Sequence, residues 1–110
     1  MFEDGRSRRV IFVAHCLLNQ NAISDGTADY PACHGEIVKL LLDAQVGIVQ
    51  MMCPELICLG LDRADPLGAT RPVVVENTRI RQRMQQQPAA GRLELLARQI
   101  LFQIRQYIEN

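Results

Sequence analysis

Cys16 and Cys53 each close a short apolar run. Val10-Ile11-Phe12-Val13-Ala14-His15 leads into the first, and Val46-Gly47-Ile48-Val49-Gln50-Met51-Met52 into the second. Two thiols far apart in a chain that arrive at one place suit a metal or cluster site, a redox pair or a nucleophilic pair, because thiolates are the usual ligands of iron–sulfur clusters and structural zinc. As ordinary residues they are two buried cysteines, a common fate of that side chain. Cys58 lies five residues beyond Cys53 and is a candidate further ligand. Cys33 stands where a helix is expected to begin, a position that favours a thiolate, and is another. A zinc site would draw on Cys16, Cys53, Cys58 and His34, although no C-x-x-C spacing occurs, which argues against a ribbon or finger. Glu55, in Cys53-Pro54-Glu55, is a candidate general base and equally a carboxylate at a helix start. If strand pairing continues that far, His15 is expected on the opposite side of the strand from Cys16, in a packing or hydrogen-bonding role. Asp62 and Arg63 read as a loop ion pair of little worth.

The elements that must position these residues follow from the pattern. The two apolar runs read as buried strands over 9–15 and 46–52. Between them, Ile37, Leu40, Leu41 and Ala44 recur at helical spacing and give a helix from 33 or 34 to 44. A strand–helix–strand unit implies parallel neighbours with a right-handed crossover, so both thiols reach the carboxyl edge of the sheet, where open α/β sheets bind ligands. The stretch 19–31 is rich in Asn, Asp, Ser, Gly and Pro and reads as a long loop at that edge. Residues 55–61 form a helical turn or an irregular loop after Pro54. Asp65, Pro66, Gly68 and Pro72 punctuate a second long loop, and Val73-Val74-Val75 reads as a short third strand. Asn77 or Thr78 would then cap a helix to about 83–86, with Pro88 breaking the pattern or opening the next helix. Leu93, Leu96, Ile100, Ile104 and Ile108, widened by Leu101, form the apolar stripe of a final core-facing helix.

The 110 residues make one domain, with 1–9 as a loose leader, and 48% hydrophobic residues suffice for a core. The expected class is α/β: a small parallel-sheet, three-layer domain like half of a Rossmann or flavodoxin unit, either a naturally short form or a fragment. Two or three parallel strands make a poor sheet, so self-association, most simply a twofold dimer, is expected to repair its edge. Twelve basic and twelve acidic residues balance to zero formal charge, so neither a nucleic-acid nor an anionic-membrane surface is indicated. No apolar run approaches the ~20 residues of a membrane-spanning helix, and no signal-type segment opens the chain. A cytoplasmic location with reduced thiols is the expectation.

The segments V-I-F-V-A-H-C-L-L-N-Q-N (10–21) and G-I-V-Q-M-M-C-P-E-L-I-C-L-G-L-D-R (47–63) resemble the thiouracil desulfidase family, in particular a shorter branch with H-C-x-L-N-x-N and C-P-E-x-x-x-L-G-L-x-R. That resemblance implies a 4Fe–4S cluster held by three cysteines, with an open fourth iron that takes sulfur from a small thiolated base. Two of the cysteines correspond to Cys16 and Cys53, and the acid/base glutamate to Glu55. The family's third cysteine belongs to an S-P-S-C-G motif, which these 110 residues do not contain. The implied activity is removal of sulfur from a thiolated nucleobase such as thiouracil. The alternatives are a non-catalytic oligomeric binding or assembly module and a zinc-binding protein.

Overall fold

A computed structural model describes residues 3–109. Met1 and Phe2 of the expected leader, and Asn110, lie outside them. Two four-residue strands, β1 (Val10–Val13) and β2 (Gly47–Gln50), form a parallel pair. The register pairs Val10 with Gly47 and Val13 with Gln50. Both strands are shorter than the apolar runs that contain them. His15 is not the last strand residue: it opens a single turn, α1 (His15–Leu18). The ladder is extended past the strand ends by Met51 N–H donating to the Val13 carbonyl at 2.9 Å.

The crossover helix α2 (Gly35–Asp43) starts at the N-cap His34, with Glu36 in its first turn facing the positive end of the helix dipole. Ile37, Val38 and Leu41 are half-buried, whereas Leu40 and Leu42 are 67% and 65% exposed. The inward face is therefore narrower than the 37–40–41–44 pattern suggests, because a two-stranded sheet is too small to cover it. Residues 55–61 settle mostly into α3 (Pro54–Leu59), begun by Pro54, whose fixed φ suits the first helical turn and whose missing N–H is not needed there.

The expected strand at 73–75 is instead the first turn of α4 (Val73–Met84). Pro72 precedes it as N-cap, and the three valines stand 52–78% exposed, with no strand among the described residues beside them to pair with. Asn77 and Thr78 lie inside this helix, and the Thr78 hydroxyl donates to the Val74 carbonyl rather than capping. Helix α5 (Ala89–Glu109) follows Pro88 directly. Leu96 is buried and Leu93, Ile100 and Ile104 half-buried, as their spacing requires. Ile108 and Leu101 turn outward, at 76% and 52% exposure; near the helix end it is Tyr107 that reaches the sheet, edge-on to Phe12 with ring centroids 5.8 Å apart. The molecule is thus mixed α/β, with a core of Val13, Ala22, Cys58, Ile80, Ala89 and Leu96 beneath the sheet's carboxyl end, where α3, α4 and α5 pack together.

Candidate functional site

The strand register places the two thiols. Val13 and Gln50 are paired, and each cysteine lies three residues beyond its strand's paired end: Cys16 in α1 and Cys53 at the N-cap of α3. Both are half-buried. The Gln50 side chain donates to the His15 carbonyl at 2.9 Å, tying the end of β2 to the turn that carries Cys16. From the other side Gln20, 92% buried, donates to the Cys16 carbonyl at 2.8 Å and accepts from the Asp29 N–H at 3.2 Å. The long loop after α1 is so held against the strand end, further secured by Gln20 N–H to Ala32 O at 2.6 Å and His34 N–H to Leu17 O at 2.9 Å.

Glu55 occupies the first turn of α3, where a carboxylate faces the helix's unpaired N–H groups. Its side chain is 44% exposed, and Oε1 accepts from Arg63 Nε at 3.0 Å. This corrects the expected Asp62–Arg63 pair. Asp62 caps its own turn, accepting from Ala64 N–H at 2.9 Å, while Arg63 turns inward until only 3% of its side chain is exposed. All five guanidinium N–H groups find acceptors: Glu55 Oε1, the carbonyls of Gly60 and Leu61 at 3.2 Å, the carbonyl of Ala22 at 2.6 Å, and Cys53 Sγ at 3.9 Å. Arg63 is the residue that the sequence pattern assigned to the surface. Its signals in the sequence are its place as the last residue of the C-P-E-x-x-x-L-G-L-x-R pattern and its position eight residues after Glu55, across a turn opened by Gly60 (φ +88°).

A second polar chain supports this turn. Asp65 accepts from Arg71 Nη2 at 2.6 Å, Arg71 Nη1 lies 3.7 Å from the buried Glu76, Glu76 pairs with Arg79, and Arg79 Nη2 donates to the Arg63 carbonyl at 3.0 Å. The Leu67 N–H and the Arg71 guanidinium hold the Asp65 carboxyl below the usual carboxylate range. Gly68 belongs to the same arrangement: any Cβ there would collide with the Glu76 carboxylate.

Cys58 faces the core, 2% exposed, and burial pushes its thiol pKa up, opposed in part by Arg92. Cys33 is half-buried, two residues ahead of α2. Among the described residues no three His, Cys, Asp or Glu side chains gather into one metal-binding group. At the sheet edge Cys53 has the Arg63 guanidinium beside its sulfur, and that same guanidinium holds the Glu55 carboxylate. No described helix is long and apolar enough to cross a membrane.

No protein-family model matches the chain. No solved structure matches it. Over 58 residues it is 41% identical to the uncharacterized protein MJ0003 of Methanocaldococcus jannaschii, a stretch that makes up 53% of this chain and 37% of that protein.

Proposed function

We propose that this chain is a hydrolytic desulfidase that removes sulfur from a small thiolated base such as thiouracil, with Cys16 and Cys53 as thiolate ligands of an iron–sulfur cluster and Glu55 as acid/base. The single observation that supports it most is the placement of two cysteines at equivalent positions past paired parallel strands, with a carboxylate two residues beyond one of them. The reaction exchanges a C=S for a C=O: water adds its oxygen to carbon, and sulfur leaves as hydrogen sulfide, with no net oxidation. Glu55, exposed enough to meet solvent and substrate, takes the proton from water. A cluster bound at the thiolates would supply a Lewis-acidic iron for the departing sulfur. The two strands and their crossover helix would be part of a Rossmann-like, three-layer arrangement, and the reduced thiols suit a cytoplasmic setting.

Anaerobic reconstitution with iron and sulfide tests this. The expected result is a broad brown absorption, bound iron and sulfide, and sulfide release from thiouracil. Cys16→Ser and Cys53→Ser lose the iron, and Cys33→Ser and Cys58→Ser report whether either supplies a third ligand. Protein that stays iron-free and releases no sulfide overturns the proposal. A second reading, a non-catalytic assembly module that pairs with another copy of itself, is favoured by the exposed Leu101, Phe102 and Ile108 of α5. Colourless, metal-free oligomer is its signature.

A further inference from the structure

Glu55 poses a physical problem. A glutamate that is 44% exposed at a helix start has several rotamers open to it, and a surface ion pair rarely holds one of them. Here the cation is different in kind. Arg63 is buried, and four of its five N–H groups are already committed to Ala22, Gly60, Leu61 and Cys53, so it does not move to meet the carboxylate. Only Glu55 loses freedom when the pair forms. The backbone is shaped to the same end. Arg63 and Ala64 are consecutive non-glycine residues with φ of +54° and +66°, a region unfavourable for L-residues. Such strain persists only where surrounding contacts over-determine it. Those contacts are the Asp62 carboxylate on Ala64 N–H, Arg79 on the Arg63 carbonyl, and the saturated guanidinium itself.

We propose that Arg63 is the positioning residue of this sheet edge: its buried guanidinium, bridging Glu55 Oε1, Cys53 Sγ and the Ala22 carbonyl, fixes the Glu55 carboxylate beside Cys53 and fastens both long loops around it. The assignment of a chemical role to Glu55 rests on the desulfidase reading; the positioning does not. Lysine is a poor substitute, because a single ammonium with three donors cannot span acceptors that a planar five-donor fork reaches together.

Two measurements on the full chain test it. In nitrogen-15 spectra the Arg63 Nε–H, shielded from solvent, gives a slowly exchanging signal. Glu55→Gln shifts that signal without abolishing it, since the amide oxygen still accepts. A signal indifferent to Glu55→Gln overturns the proposal, and this arm stands even if an Arg63 variant fails to fold. In the reconstituted protein, Arg63→Lys lowers kcat for sulfide release about tenfold or more with KM within about twofold, and adds little further loss in the Glu55→Gln background. Independent, additive losses from the two substitutions overturn it. Where the Nε–H signal responds to Glu55→Gln but the parent releases no sulfide, the positioning stands and the desulfidase reading fails.

Discussion

At the scale of single residues, the site is an exposed carboxylate fixed by a buried cation, next to a thiol at a helix N-cap. Glu55→Gln keeps an acceptor for Arg63 and nearly the same volume, so the fold is expected to survive while proton transfer is lost. Sulfide release from thiouracil falls roughly 10²-fold, the usual worth of a positioned acid/base group, with the absorption of the reconstituted cluster unchanged. An unchanged rate with intact absorption removes Glu55 from the chemistry. The positions of Cys16, Cys53 and Glu55 beyond two strand ends were legible in the sequence because Val/Ile runs and a following proline mark where strands stop. Arg63 was not. Its partners are Ala22, Cys53, Glu55, Gly60 and Leu61, and only three-dimensional closure brings Ala22, 41 residues away, to within 2.6 Å. Beside an aspartate in sequence, an arginine looks like a surface pair; the positive φ that turns it inward has no marker in residue type.

At the scale of elements, the contrast lies between α5 and the start of α4. The α5 stripe is long and regular, and Leu96 sits at its buried centre, 3% exposed. Leu96→Ala is expected to cost 2–5 kcal/mol of unfolding free energy, the range for truncating a buried leucine. Chemical denaturation checks it, and a loss below about 1 kcal/mol would mean that α5 is not a core helix. Val73-Val74-Val75 misleads because β-branched residues favour a strand only when a neighbouring strand is there to pair with. Among the described residues none is, and Pro72 and the Glu76–Arg79 pair start a helix instead. The loop before α4 adds a pH prediction. The folded pKa of Asp65 lies below its unfolded value, so its stabilisation is fully present above about pH 4 and is lost as pH falls through the folded pKa. Below that point the unfolded state no longer binds more protons than the native one. Asp65→Asn is therefore expected to flatten part of the acid limb of a melting-temperature profile while leaving its slope above pH 5 unchanged.

At the scale of the whole molecule, surface area is the deciding quantity. A compact monomer of 12.4 kDa exposes about 6,100 Å² by the usual scaling with mass. This chain exposes 7856 Å² and measures 53 × 31 × 17 Å, with a radius of gyration of 16.6 Å against about 13 Å for a compact domain of its length. The excess, roughly 1,700 Å², is about twice what each partner buries in a standard protein interface. Large apolar side chains stand more than half exposed on identifiable elements: Leu40 and Leu42 on α2, and Leu95, Leu101, Phe102 and Ile108 on α5. Apolar side chains left in water on the outside of one helix are a marker of association. With a neutral chain, no net repulsion opposes pairing of identical copies. The chain is therefore expected to be a dimer at micromolar concentration, joined through α5, and light scattering should return twice the chain mass. Phe102, 67% exposed, supports no intrachain packing that its loss would disturb, so Phe102→Glu is expected to leave helix content and melting of the monomer unit intact while shifting the mass to that of one chain. A parent that scatters as a strict monomer refutes the dimer, and a Phe102→Glu variant that remains dimeric moves the contact away from α5 to the open edges of the two-stranded sheet.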